Sequence, residues 1–410
     1  MQATPRSLRL HIGLFGRRNV GKSSLLNAIT RQQVSIVSAQ AGTTTDPVEK
    51  PMELLPLGPV QFVDTAGVDD EGALGELRIA RTRTVLDRVD LGLIVTEAGA
   101  WGDFERALLV ELKGRKVPVL VVFNKADLRM PTPGECQLAE VEGALPVAVS
   151  SLTGEGLAAL RAGLLQLAPA NFFDNQRLVA DLVPPGEVAI LVVPIDKEAP
   201  KGRLILPQVM TIRDLLDAEA MALVVQEREL KLALERLKAP PALVVTDSQA
   251  FLKVAADVPK GIPMTSFSIL MARFQGNLAE QVRGTLGIEQ LRGGDAVLIA
   301  ETCAHHPVGE DIGRVKIPRW LTQYVGAKVH FAHVQGRDFP QDLSPYRLVI
   351  HCGNCTGNRK EMSSRIQRCR EAGVPITNYG LTIAYSLGVF ERALVPFPEA
   401  LQAYEEMRTT

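Results

Sequence analysis

Long apolar runs, basic tracts and aromatic side chains are all scarce in this sequence. No segment approaches the roughly 20 uninterrupted apolar residues that a membrane-spanning helix requires, so no such helix is expected. The opening residues, MQATPRSLRLHIGLFG, contain no apolar stretch of signal-peptide type, and a cytoplasmic location is expected. Lys and Arg number 45 against 46 Asp and Glu, a formal net charge of -1, without a long Lys/Arg run. Aromatic residues make up 5% of the chain. The basic footprint and stacking platform of a nucleic-acid binder are missing, so no nucleic-acid partner is expected. Cysteine is sparse too, at five positions: Cys136, Cys303, Cys352, Cys355 and Cys369. In a reducing compartment they do not make a disulfide framework, and three lie close to histidines, which points to metal chemistry.

What is present is an ordinary supply of core. Hydrophobic residues at 46% and charged residues at 22% support packed domains throughout and leave no room for extensive disorder. At 410 residues the chain is too long for one core, and three units are expected: residues 1–170, 171–264 and 265–410. In the first, the β-rich runs LRLHIGLFG, VQFVDTAG, LGLIVTEAG, PVLVVFNKAD and PVAVSS alternate with helical patterns such as SSLLNAIT and GLAALRAGLLQL. That rhythm predicts βαβ units and a mostly parallel sheet. Asn171 to Pro185 reads as a linker. The middle segment reads as VAILVVPI, one long helix over VMTIRDLLDAEAMALVVQERELKLALERL, then ALVVTDS; the helix either packs in its own core or offers a face to a second subunit. In the last, AVLIAE, KVHFAH, RLVIH and PITNYG predict a second small α/β sheet. No internal repeat is evident.

Gly16-Arg17-Arg18-Asn19-Val20-Gly21-Lys22-Ser23, after an apolar strand and before a helix that continues with Ser24, fits the phosphate-binding loop G-x-x-x-x-G-K-[ST]. Glycines let backbone N–H groups approach phosphate, the helix N-terminus adds its dipole, Lys22 reaches the β/γ-phosphates and Ser23 ligates Mg²⁺. Asp64-Thr65-Ala66-Gly67 ends a strand, where Asp64 can hold Mg²⁺ through water and the Gly67 N–H can meet the γ-phosphate. Asn124-Lys125-Ala126-Asp127 ends another, and Asp127 can accept both guanine N–H donors. Adenine lacks that donor pair and would leave the carboxylate unsatisfied, so the base is guanine.

These motifs, in this order, resemble the translation-factor-related small GTPases, particularly the tRNA-modification and ribosome-assembly branch. The resemblance implies GTP hydrolysis with Mg²⁺, and contact of Ser150-Ser151-Leu152-Thr153-Gly154 with the guanine O6. It implies Thr44 of Gly42-Thr43-Thr44-Thr45-Asp46 as a further Mg²⁺ ligand, with Thr43 the alternative. Asn19 stands where potassium-activated members have an asparagine that ligates K⁺, which implies K⁺-stimulated hydrolysis. Val68 occupies the place of the water-orienting glutamine of Ras-like proteins and cannot do its work. Glu76 stands where potassium-dependent relatives carry a glutamate acting through water; the alternative is an ordinary exposed loop glutamate.

Cys303-Ala304-His305 follows the strand AVLIAE, and His351-Cys352-Gly353-Asn354-Cys355 follows RLVIH. Loops leaving the carboxyl ends of strands in an open α/β sheet converge on one crevice, so the two segments can meet. Three thiolates in one pocket suit an iron–sulfur cluster, or zinc in a closed structural site. Behind a G domain, Cys-x-His followed by His-Cys-x-x-Cys looks like the [FeFe]-hydrogenase maturation GTPases. That resemblance covers all three segments. It implies an α/β chain with a P-loop G domain, a small α/β dimerisation domain and a C-terminal α/β domain whose Cys303, Cys352 and Cys355 hold a [4Fe-4S] cluster. His305, Glu310 or His351 is then the fourth ligand, and His305 and His351 can instead be hydrogen-bond donors beside the cluster. The implied role is scaffold and carrier of the diiron precursor of the hydrogenase active site. Its partners would be two radical-SAM maturases and the apo-hydrogenase, with a homodimer formed through the middle domain. A ribosome- or RNA-assembly GTPase with a zinc-stabilised C-terminal domain is the alternative. Cys136, in the polar loop PTPGECQ, and Cys369, on a helix, are expected bystanders.

Overall fold

Strands fully buried on both faces read as continuous apolar runs, and the first half of the chain is built around three of them. The computed structural model describes residues 4–30, 47–65, 82, 84–169, 172, 177–195, 202–303 and 311–409. They fall into two compact units, Met1–Asn175 and Gln176–Thr410.

In the first unit β1 (Leu10–Phe15), α1 (Lys22–Thr30), β2 (Val48–Leu54), β3 (Gly58–Asp64), β4 (Leu91–Glu97), α2 (Asp103–Gly114), β5 (Val119–Asn124), α3 (Pro133–Val141), β6 (Leu145–Ala148) and α4 (Leu157–Leu167) follow one another. The sheet runs β2-β3-β1-β4-β5-β6. Only β2 is antiparallel, to β3. Its sequence, VEKPMEL, carries charges and Pro51, which an edge strand tolerates and which hid it from pattern reading. Leu25, Leu26 and Ile29 of α1 and Leu160 and Leu164 of α4 close one face of the sheet. Leu108, Leu109 and Leu112 of α2 close the other. Because β1, β3, β4, β5 and β6 are parallel, the loops after them leave from one rim.

Cys136 is not in a loop. Thr132 caps α3 by accepting the Glu135 N–H at 3.3 Å, while the Glu135 carboxylate accepts the Thr132 N–H at 2.7 Å. This reciprocal cap starts a helix at Pro133 and places Cys136 in its first turns.

The second unit contains β7 (Val188–Val192), α5 (Leu206–Asp217), β8 (Met221–Val225), α6 (Leu230–Arg236), β9 (Leu243–Thr246), α7 (Phe251–Asp257), β10 (Met264–Ser266), α8 (Phe267–Gln275) and α9 (Leu278–Thr285). Then come β11 (Ala296–Glu301), α10 (Ile317–Val325), β12 (His330–Gln335), β13 (Leu348–His351), α11 (Arg359–Glu371), β14 (Ile376–Asn378), α12 (Tyr379–Ser386), α13 (Phe390–Leu394) and α14 (Pro398–Arg408). Two all-parallel sheets result, β10-β9-β7-β8 and β12-β11-β13-β14. Counted from its own first strand, each has the order 2-1-3-4. The unit is thus a topological repeat with no visible counterpart in the sequence.

Three readings of this region change. The long middle helix is two helices with β8 between them: α5 ends at Asp217, Glu219 takes a left-handed φ of 59°, and MALVV pairs with β7. Backbone pairing with a neighbouring strand overrides local helical pattern there. The expected linker is partly core, because Leu178, Val179 and Val183 are buried and the Asp214 carboxylate accepts the N–H groups of Val179 and Ala180 at 2.7 and 2.8 Å. The division at 264–265 falls within β10, an edge strand of the first of these sheets, and one continuous core runs beneath both sheets.

Candidate functional site

Gly16 (φ 142°) and Gly21 (φ 90°) shape the loop between β1 and α1. A Cβ on Gly16 would lie 2.2 Å from the Val95 carbonyl oxygen, and one on Gly21 2.3 Å from Nδ2 of Asn124, so no larger residue fits at either. Lys22 folds its ammonium over this loop, donating to the carbonyls of Gly16 at 2.9 Å and Arg17 at 2.6 Å. Ser23 Oγ donates to Asp64 Oδ2 at 2.7 Å, which brings the two expected Mg²⁺ ligands side by side although they come from α1 and the end of β3. Asn19 takes a left-handed φ of 61°, a conformation asparagine tolerates better than most residues.

Asn124 locks three motifs together. Its Nδ2 donates to the Val20 carbonyl at 2.9 Å, and its Oδ1 accepts from the Ser151 N–H at 3.1 Å and the Ser151 hydroxyl at 2.8 Å. Asp127 Oδ1 accepts from Ser150 Oγ at 2.5 Å, orienting a carboxylate that is otherwise open to solvent. Leu152, next in the chain after Ser151, is 86% exposed. Lys125 pairs with Glu97 at 2.6 Å. The sequence reading missed a further strut: Arg17 Nε reaches Glu105 of α2 at 2.9 Å, and Glu105 is fully buried. A second arginine inside the loop motif was its only signal. Thr43, Thr44, Gly67 and Glu76 lie outside the described residues.

The second cluster forms where β11 and β13 lie side by side, pairing Ala300 with His351. The Thr302 N–H, one residue before Cys303, donates to Cys352 Sγ at 3.2 Å. Burial pushes the Cys303 thiol up to about 12, with Cys352, Cys355 and Glu301 adding to the shift. Cys355 is pushed up to about 11 by burial and then by Cys352. Cys303 and Cys355 thus lie in poorly solvated surroundings within electrostatic reach of Cys352, and both thiols are held protonated. All five cysteines are free thiols, and among the described residues no group of three His, Cys, Asp or Glu side chains is arranged to hold a single metal ion. His305 and Glu310 lie outside the described residues, as does His306.

His351 is fully buried, and both ring nitrogens are engaged: Nδ1 with the Cys352 carbonyl at 2.7 Å and Nε2 with Arg365 at 2.7 Å. As placed, it has no nitrogen left for a metal and instead braces the cysteine loop. Burial, then the Arg365 charge, lower its pKa to about 3, so the ring is neutral. Arg365 also donates to the Gly336 carbonyl at 2.8 Å and to Glu361 at 2.7 Å. Neither Arg365 nor Thr302 was legible beforehand, since neither belongs to a ligand pattern. Cys369 sits buried on α11, within an apolar cluster.

Three family models match the chain. Residues 11–125 match the 50S ribosome-binding GTPase, 178–276 the hydrogen maturase F dimerization domain and 279–396 the hydrogen maturase F tetramerization domain. Among curated proteins, the tRNA modification GTPase MnmE of Bordetella avium is 41% identical over 163 residues, which is 40% of this chain and 34% of that protein. Its counterpart in Heliobacterium modesticaldum is 37% identical over 147 residues, 35% of this chain and 31% of that protein. The matched region thus spans 34% and 31% of the length of these relatives. Among solved structures, Aquifex aeolicus Era has a TM-score of 0.36 at 20% identity, covering 55% of this chain and 97% of that one. The G domain of the T. maritima FeoB iron transporter has 0.31 at 24%, covering 39% and 98%. These structural likenesses are weak. With the maturase models matched across 178–276 and 279–396 behind a G domain similar to the tRNA-modification GTPases, the chain belongs to the hydrogen maturase F family.

Proposed function

We propose that this chain is a K⁺-stimulated GTPase that serves [FeFe]-hydrogenase maturation as a scaffold, holding a [4Fe-4S] cluster on Cys303, Cys352 and Cys355 and carrying the diiron precursor to the apo-hydrogenase. The observation that supports the reading is that β11, which leads into Cys303, pairs with β13, which leads into Cys352 and Cys355, and that the Thr302 N–H reaches across to Cys352 Sγ at 3.2 Å. The donor set fits the group, because thiolates hold such clusters and N–H groups on their sulfurs tune them. With three cysteine ligands, the bound cluster would supply one iron whose fourth position exchanges, as a bridge to incoming cargo requires. His305 and Glu310 are the candidates for that position. His351, with both nitrogens engaged, is better suited to bracing the loop.

In the G domain Lys22, Ser23 and Asp64 would hold Mg²⁺ and the phosphates with Thr44 and Gly67, while Asn124, Asp127 and the Ser150–Leu152 loop would read guanine. GTP binding and hydrolysis would then bias how the second unit engages its cargo and partners, two radical-SAM maturases and the hydrogenase. The match of residues 178–276 and 279–396 to dimerization and tetramerization domains supports self-association, first as a homodimer, which light scattering measures directly. A ribosome- or RNA-assembly role draws support from the G domain alone.

Purification without oxygen, with iron, sulfide and zinc counted and EPR recorded after reduction, tests the reading. About four irons per chain are expected. Stoichiometric zinc without iron would overturn it. Replacing Cys303, Cys352 and Cys355 together should abolish the cluster and leave GTP hydrolysis intact.

A further inference from the structure

Two chain segments far apart in sequence carry the cysteines, and something must fix the gap between them. We infer that Asn354, inside the Cys352–Cys355 turn, is a positioning residue that sets this gap by bonding to Thr302 beside Cys303. The inference rests on the reading of these cysteines as cluster ligands.

Asn354 is 1% exposed and adopts a left-handed φ of 54°. Its Oδ1 accepts from the Thr302 hydroxyl at 2.8 Å, and its Nδ2 donates to the Asn358 carbonyl at 3.0 Å. Asn358 is the N-cap of α11, its side chain accepting from the Glu361 N–H at 2.9 Å. One buried amide therefore ties the end of β11 to the cysteine turn and to the start of the next helix. Thr302 completes the link from its own side, because its N–H meets Cys352 Sγ while its hydroxyl meets Asn354. A Cβ on Gly357 would come within 2.1 Å of Asn354 Oδ1, so glycine at 357 is what allows the amide to occupy this spot. Buried amides with satisfied donors and acceptors hold geometry more tightly than apolar contact does, since any shift leaves a polar group unpaired.

The test uses the full chain loaded anaerobically with iron and sulfide. Asn354→Gly keeps the left-handed backbone and removes the amide; Thr302→Val removes the hydroxyl and keeps the backbone N–H on Cys352. Each variant is expected to release iron to a chelator ~10- to 100-fold faster than the parent, with an altered EPR spectrum of the reduced state. GTP turnover should stay unchanged, and the melting temperature of the cluster-free protein should fall by only the few degrees that unpaired buried polar groups cost. The double variant should be no worse than the more affected single, because hydroxyl and amide act as one unit. Parental release rates and spectra in both singles would overturn the inference, as would strictly additive effects or a loss of melting temperature that accounts for the faster release. If the parent itself takes up no iron–sulfur cluster, the cluster reading fails separately. The gap is then measured on the cluster-free protein with bis-maleimides of graded length, scoring Cys303-to-Cys352 crosslinks by mass spectrometry. A changed length preference in Asn354→Gly supports the inference, and an unchanged one overturns it.

Discussion

Arg365 donates to Nε2 of His351 at 2.7 Å, and that bond assigns the imidazole: Nε2 accepts, and Nδ1 carries the proton that it gives to the Cys352 carbonyl. Burial and the Arg365 charge lower the pKa of His351 from 6.5 to about 3, and burial together with Arg6 and Arg88 does the same to His11. A histidine held neutral in the folded state takes up its proton on unfolding. Its contribution to stability is complete above about pH 6.5 and is lost as the pH falls toward 3, at up to about 1.4 kcal/mol per pH unit for each ring. Imidazole ¹⁵N spectra of the cluster-free protein at pH 5 should show both rings neutral, with His351 as the Nδ1–H tautomer. An imidazolium signal from His351 at that pH would refute the assignment.

Removing the donor tests the same contact from the other side. Arg365→Met leaves His351, the Gly336 carbonyl and Glu361 without their partner. A loss of about 3 kcal/mol from the second unit is expected in urea denaturation, typical of breaking a buried charged pair. A change below about 0.5 kcal/mol would mean that the guanidinium is replaceable by water.

On the proposed reading Asp127, which accepts from Ser150 Oγ at 2.5 Å, recognises the guanine base. Asp127→Asn should weaken GTP by about 100-fold or more, since a site built to receive two N–H donors now presents one of its own. Xanthosine triphosphate has an acceptor where guanine has its amino group, and should become the better ligand. Competition binding with both nucleotides checks this; retained GTP preference would count against the assigned role.

Hydrolysis should be faster in KCl than in NaCl at equal ionic strength, and Asn19→Ala should erase the difference while retaining basal turnover. The left-handed φ of 61° at Asn19 presents its side chain from the loop rather than from the helix that follows. Equal rates in the two salts for the parent protein would remove K⁺ from the mechanism.

Glu76→Ala should slow turnover by about 100-fold at unchanged GTP affinity if the carboxylate acts through water. Stopped-flow binding and single-turnover hydrolysis separate the two effects. Full activity in the variant would return Glu76 to an ordinary surface residue.

Much of the first unit was legible because β1, β4 and β5 are buried on both faces and read as apolar runs, while the phosphate-loop and base-binding motifs follow strand ends as contiguous residues. The exceptions have local causes. Charges and Pro51 disguised β2 as loop, and the Thr132–Glu135 cap turned a Pro-rich stretch into a helix. In the second unit, MALVV followed a helix so closely that only its pairing with β7 distinguishes it as strand.

By its own order of residues the chain determined a guanine-type P-loop site and the three cysteines near histidines, because those signals are contiguous patterns whose chemistry depends on residue type and spacing. Only the tertiary structure decided what holds the cysteines together. Thr302 meets Asn354 and His351 meets Arg365 because β11, β13 and α11 are packed side by side, and no one-dimensional spacing reports which distant side chains a parallel sheet will place within a hydrogen bond of each other. The same holds for the 2-1-3-4 strand order that the two sheets share: strand order is set by crossover packing, which different sequences can satisfy equally well.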